Sequence, residues 1–212
     1  MMAKDRPQSE RTSAAMDQTE VPPPKRRIFL PQSFRERFLC AVWFLAWALL
    51  YRPSPVSWSG WRRFLLRRFG ASVGRGCFLH PSVRIDFPWN LKISDNVLIE
   101  HKVILNCMGE IVLKEGCRLS QYAHLCAGTH VYQDRQMPIV RAPITIGQGV
   151  WIAADAFVGP GVSIGDGALL AARSSAFGSL PEGQICVGEP ARSYKKRFPH
   201  EVTYDHPPQR LV

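Results

Sequence analysis

Six histidines stand in the sequence, His80, His101, His124, His130, His200 and His206, and imidazole is the side chain best matched to taking and returning a proton near neutral pH. Position tells them apart. His130 closes a run of evenly spaced aliphatic residues and stands immediately before residues 131–141, which break the spacing and must leave whatever body the even part builds. A base at a loop exit can face a cleft between subunits, and one inside a packed column cannot, so His130 is the candidate general base. His124 lies one repeat earlier on the same face and reads as structural or groove-lining. His80 and His101 read as surface residues, and His200 and His206 as parts of a solvated tail. The six cysteines, Cys40, Cys77, Cys107, Cys117, Cys126 and Cys186, are scattered without a CxxC pair. That argues against a zinc ribbon or a disulfide scaffold and for reduced, partly buried thiols.

The even part has a period of six. An aliphatic residue recurs at Val73, Leu79 and Ile85, and after a two-residue slip at Ile93, Ile99 and Leu105. A second slip leads to Leu113, Leu119 and Leu125, and after the interruption come Ile146, Ile152, Val158, Ile164, Leu170 and Ala176. Four residues after each aliphatic sits a small or medium residue, among them Val97, Val103, Cys117, Ala123, Val150, Ala156, Val162 and Ala168. Six is neither the helical 3.6 nor a domain-scale repeat, and hexads are the mark of a parallel β-helix. Three hexads close one triangular coil, with the aliphatic pointing inward and the small residue at the corner. The expected fold is all-β, a parallel β-helix of about five triangular coils over residues 71–191. Its flat outer faces predict a closed oligomer.

The chain has 212 residues and a net charge of +10 from 27 basic and 17 acidic side chains. The charge is not spread evenly. Residues 1–70 hold thirteen basic and five acidic side chains, residues 71–191 nine and ten, and residues 192–212 five and two. A neutral body with basic ends excludes the usual nucleic-acid-binding domain and fits an anionic membrane surface or a phosphate-bearing ligand. Residues 1–27 lack apolar periodicity and read as a disordered tail, and they do not resemble a secretory signal, so a cytoplasmic protein is expected. Residues 28–70 read as N-terminal helical segments. The uncharged run 38–51 falls short of the roughly 20 apolar residues that a spanning helix needs, and Trp61, Phe64, Leu65 and Phe69 share one helical face opposite several arginines. Two readings stay open for this segment: a helical pair packed on the domain or a sister subunit, or a monotopic anchor whose basic residues meet anionic lipid at the inner face of the cytoplasmic membrane. Residues 192–212 read as a basic C-terminal tail.

Ordered blocks carry a resemblance. Pro143-Ile144-Thr145-Ile146-Gly147, Val150-Trp151-Ile152, Pro160-Gly161-Val162-Ser163-Ile164-Gly165-Asp166-Gly167 and Gly188-Glu189-Pro190-Ala191-Arg192 resemble the hexapeptide-repeat O-acetyltransferases. Residues 64–70, Pro88-Trp89, Leu105-Asn106 with Gly109-Glu110, Leu119-Ser120-Gln121, and Leu125-Cys126 with Gly128 and His130 look most like the colanic-acid biosynthesis acetyltransferases within them. The resemblance covers roughly residues 60–197. It implies that the β-helix is left-handed, that the protein is a homotrimer, and that acetyl-CoA binds between adjacent prisms. The implied acceptor is a sugar hydroxyl of a saccharide or lipid-linked saccharide in surface or exopolysaccharide synthesis.

The same resemblance assigns roles. His130 becomes the catalytic base, with Asn106, Glu110, Tyr132 and Asp134 towards the acceptor. Ser120, Ala154 and Ala172 would hold the pantetheine, Trp151 would line its groove, and Arg192 and Lys195 would meet the nucleotide phosphates. Val131 stands where these enzymes often carry an acidic residue, so orientation of the imidazole is expected to fall to Asp134, Glu110 or a backbone carbonyl. No metal is expected. Two other readings compete: a γ-carbonic-anhydrase-like metal enzyme, which needs three histidines on one zinc and finds only His101, His124 and His130 at unsuitable spacing, and a non-catalytic trimeric scaffold docked on a membrane.

Overall fold

The computed structural model describes residues 27–29 and 34–198; residues 1–26 of the expected tail, and His200 and His206, lie outside them. The hexads build a three-sided parallel prism. Its first face stacks Ser72–Val73, Leu91–Ile93, Ile111–Leu113, Ile144–Ile146 and Ser163–Ile164. The second stacks Phe78–Leu79, Leu98–Ile99, Arg118–Leu119, Trp151–Ile152, Leu169–Leu170 and Gln184–Gly188. The third stacks Arg84–Asp86, Ile104–Asn106, His124–Cys126, Phe157–Val158 and Ser175–Ala176.

All fifteen period-six positions point inward and are buried, as are the eight corner residues named above. In-register pairing keeps like with like: Leu125 lies opposite Leu105 on one side and Val158 on the other. The two-residue slips have a use that the period alone does not reveal. In the second, third and fourth coils the strand on the first face is one pleat longer, so Leu91, Ile111 and Ile144 also turn inward and are buried. Five coils are complete. A sixth begins where Leu180 bridges Ile164, and it ends as Gln184–Gly188 folds back antiparallel onto Ala191–Lys196. The basic stretch from Arg192 therefore starts inside a hairpin.

The segment before the prism is helical and closes its lower end. A helix α1, Phe34–Ala46, continues as a π-helical turn Trp47–Tyr51, and α2 spans Ser59–Arg68. The first coil has no coil beneath it, so its downward carbonyls would be left without donors, and an open sheet edge invites unwanted pairing. The helices supply side-chain donors instead. Arg67 Nε reaches Val73 O at 2.9 Å, Ser59 Oγ reaches Cys77 O at 3.1 Å, and Arg62 Nε reaches Leu79 O at 2.6 Å. The Trp47 and Trp43 indoles donate to Val83 O at 3.0 Å and Ile85 O at 2.7 Å. Of the two readings of residues 28–70, packing on the domain is realised by this inner face.

Between the third and fourth coils the chain leaves the prism as a hairpin. Gly128–His130 pairs antiparallel with Ile139–Arg141, setting His130 opposite Ile139. Arg27–Phe29 adds a strand on the far side. The hairpin leaves through a tight place, because a Cβ on Gly128 would stand 2.7 Å from Met108 Sδ and 2.9 Å from its Cβ. Any larger residue there must displace the Met108 side chain or shift the hairpin away from it.

Candidate active site

His130 ends the outgoing strand of the hairpin, and its ring is exposed. Its Nδ1 lies 2.6 Å from the carbonyl oxygen of Met137. A carbonyl can only accept, so Nδ1 carries the proton and donates, and in the neutral ring Nε2 is left with its lone pair free. The loop is folded to make that contact. Val131 N donates to Pro138 O at 3.0 Å, Asp134 N to Val131 O at 3.0 Å, and Met137 N to Asp134 O at 2.9 Å. Among the expected orienting groups, the backbone carbonyl holds the place. The Asp134 carboxylate accepts instead from Gln136 N at 2.9 Å, and Glu110 pairs with Lys92 at 2.5 Å. Sequence could name the class of group but not the residue, because Met137 acts through its main chain.

Met137 itself holds a left-handed backbone, φ 44°, directly before Pro138, where a non-glycine residue is doubly disfavoured. Strain of this kind costs on the order of 1–3 kcal/mol and persists where surroundings impose it. Glycine accepts the conformation and a β-branched residue resists it. Met137→Gly is therefore expected to retain turnover, while Met137→Val is expected to lower kcat by about tenfold as the carbonyl swings away. A steady-state comparison of the two variants checks it.

Asn106 sits at the edge of the third face, one coil below the start of the hairpin, paired with Asp86 beneath and Cys126 above. Its Oδ1 accepts from Met108 N at 3.3 Å and its carbonyl from Ala127 N at 3.0 Å. Glu110 lies across the same corner, where its carbonyl accepts from Ile144 N at 2.9 Å. Asn106 and Glu110 thus flank the corner from which the His130 hairpin rises. Asp86 and Cys126 extend the Asn106 column and have no site role in the sequence analysis; their shared position, one residue after an inward aliphatic, is the signal that marks them. Tyr132 is exposed near the hairpin tip. His124 stands outward on the third face with its ring 5.4 Å from Phe157. Burial holds its imidazole below the ordinary histidine range, with Asp86 opposing that shift and Arg84 adding to it.

The six residues expected to hold the thioester donor gather elsewhere. Ser120, Ala154 and Ala172 lie in the turns of three successive coils at the corner between the second and third faces. The Trp151 indole, on the second face, donates to Ser120 Oγ at 2.9 Å. Arg192 and Lys195 are exposed on the strand that crowns that face. His130 leaves from the opposite edge of the third face, about 10 Å away across a strand of three residues. Within one chain the imidazole and this column do not meet. His101 sits in the same corner as Ser120, His124 opens the third-face strand beside that corner, and His130 lies beyond the strand's far end. Among the described residues no group of three or more histidine, cysteine, aspartate or glutamate side chains is placed to hold a metal ion.

Comparison with known proteins decides the family. The family model for bacterial transferase hexapeptide (six repeats) matches residues 143–175. The Escherichia coli (strain K12) protein named "Putative colanic acid biosynthesis acetyltransferase WcaF" is 38% identical over 174 residues, 81% of this chain and 96% of its own. The chain belongs to the hexapeptide-repeat acetyltransferases. Two solved structures show the same fold around this acyltransferase. A maltose O-acetyltransferase from Clostridium difficile 630 superposes with a TM-score of 0.71 at 22% identity, over 82% of this chain and 92% of that one. The acetyltransferase VCA0836 from Vibrio cholerae O1 biovar eltor, complexed with acetyl-CoA, gives 0.73 at 20% identity, over 80% and 93%.

Proposed function

We propose that this acyltransferase moves an acetyl group from acetyl-CoA to a hydroxyl of a saccharide used in surface-polysaccharide synthesis, and that it works as a homotrimer in the cytoplasm on an acceptor carried by a lipid. One observation carries the chemistry: an exposed imidazole whose Nδ1 proton is held by the Met137 carbonyl, leaving Nε2 as the base. The hydroxyl proton passes to Nε2 as the oxygen bonds to the thioester carbon. The resulting tetrahedral oxyanion needs a nearby N–H donor. Its collapse breaks the carbon–sulfur bond, and the imidazolium returns the proton to the departing thiolate. The products are the sugar acetyl ester and free CoA thiol. The carbonyl of Met137 favours this cycle because it stays hydrogen-bonded to Nδ1–H in both protonation states of the ring.

Separation supports a site shared between copies, and the homotrimer is the closed assembly proposed for it. His130 and the Ser120–Ala154–Ala172 column occupy opposite edges of one face, so a productive site needs the hairpin edge of one copy against the turn column of the next. The outward residues favour such a contact. Phe78, Leu98, Trp151 and Leu169 flank Arg118 on the second face, and Ile104 and Phe157 stand outward on the third with Arg84 and His124, whereas the first face presents Ser72, Lys92, Thr145 and Ser163 around a single apolar Val112. Arg192 and Lys195 then stand at the far end of the column, where the donor's phosphates would lie.

The colanic-acid relative supports the saccharide class. The test is release of free thiol from acetyl-CoA across a panel of saccharides and lipid-linked saccharides, with mass spectrometry of the product. Absence of any acetylated glycan would overturn the proposal. The shared site has its own check: mixed trimers of His130→Ala with Ala172→Trp, each inactive alone, are expected to regain activity, because one interface in a mixed trimer unites an intact hairpin with an intact column. Mixtures that stay inactive would place both halves in one subunit.

A further inference from the structure

The helical cap has a second apolar side that the prism does not use. On α1 and the turn after it, Glu36, Cys40, Trp43 and Trp47 face the prism at helical spacing. Phe34, Phe38, Val42, Leu45 and Leu49 recur at the same spacing on the opposite side and are between 38% and 87% exposed. A helix that is apolar on both sides needs a second apolar environment. The patch continues onto α2, because the Trp61 indole donates to Leu50 O at 2.9 Å and its ring lies 5.7 Å from Phe64. Trp58 stands exposed at the same end. Charge surrounds it with one sign: residues 34–70 hold seven arginines against the single Glu36, which is already paired with Arg141 at 2.7 Å.

We infer that this face of the cap docks in the plane of an anionic bilayer, with Phe34, Phe38, Val42, Leu45 and Leu49 entering the acyl boundary and Arg35, Arg37, Arg52, Arg63 and Arg68 meeting lipid phosphates. The alternatives fit less well. Among the described residues no helix is long and apolar enough to cross a membrane, so the apolar stripe lies flat. A second copy of the same face would set arginines against arginines. Residues 1–26 carry no apolar periodicity with which to cover it. Exposed tryptophans next to arginines suit the headgroup boundary, where an indole keeps one edge wet. That the docked face serves a lipid-borne acceptor rests on the acyl-transfer reading above; the docking itself does not.

The experiment sediments the full chain with vesicles of phosphatidylcholine alone and of phosphatidylcholine mixed with phosphatidylglycerol. The expected result is pelleting with the anionic vesicles, weakened by salt. The double variant Leu45→Asp/Leu49→Asp is expected to lose about tenfold or more of its partitioning, with unchanged native mass and unchanged acetyl transfer to a soluble saccharide. Wild-type protein that stays in the supernatant of both vesicles would overturn the inference. So would a double variant that still pellets fully, or one whose native mass falls, which would make the face a contact between copies. Vesicle binding by a protein that transfers no acetyl group would leave the docking face standing and remove the transferase reading alone.

Discussion

His130→Ala is expected to lower kcat by about 10²–10⁴-fold, the contribution of a positioned general base, while native mass and the affinity for CoA stay as in the wild type. The ring is exposed and hydrogen-bonds to the Met137 carbonyl in its own hairpin, so removing it takes nothing from the prism. The strand that carries it keeps its pairing with Ile139–Arg141, which is main-chain only. His130→Asn is the sharper variant, because it keeps a polar group of similar reach and cannot cycle a proton; it too should be inactive. Thiol release under saturating acetyl-CoA, with calorimetry for CoA binding, reads both quantities. A fall in CoA affinity with turnover preserved would place the imidazole in donor binding instead.

Arg62→Leu is expected to cost on the order of 3 kcal/mol or more of stability, a loss read as an early thermal transition of the cap. Arg62 is fully buried, and its guanidinium answers four acceptors: Leu79 O, Ser54 Oγ, Pro55 O and Val56 O, at 2.6, 2.8, 2.6 and 2.6 Å. No other side chain has that fork. Lysine in its place carries a single head and cannot span the edge of the prism and the 54–56 turn together, so Arg62→Lys should recover little. Arg63→Leu, one residue on and partly exposed, is the control and should stay within about 0.5 kcal/mol.

The sequence was most legible where one rule repeats. Period six identified fifteen inward positions from Val73 to Ala176, because each faces the same interior and burial tolerates little else. It was least legible where a residue acts by its main chain or where two alternatives satisfy the same pattern. The two-residue slips looked like irregularities, yet they place Leu91, Ile111 and Ile144 inside. The run from Arg192 read as a basic C-terminal tail, yet Ala191–Lys196 is a strand, because a strand crowning a sheet needs only its backbone to pair. Residues 38–51 were compatible with both packing and anchoring, and the helix does pack, on one side, leaving the other bare. For the site, His130 was marked by its place before an interruption of the repeat, whereas Met137 O could not be seen in any side-chain pattern.

A parallel ladder has no natural end, and a column of identical rungs would accept another molecule's rung at either extremity as readily as its own. Here the bottom rung is stoppered by indoles, arginines and a serine drawn from the two helices, and the top rung by a strand that reverses direction. The column's length is thereby set at both ends. Fibre growth by end-on addition is closed off, and a chain stripped of its helices should clump through its lowest rung.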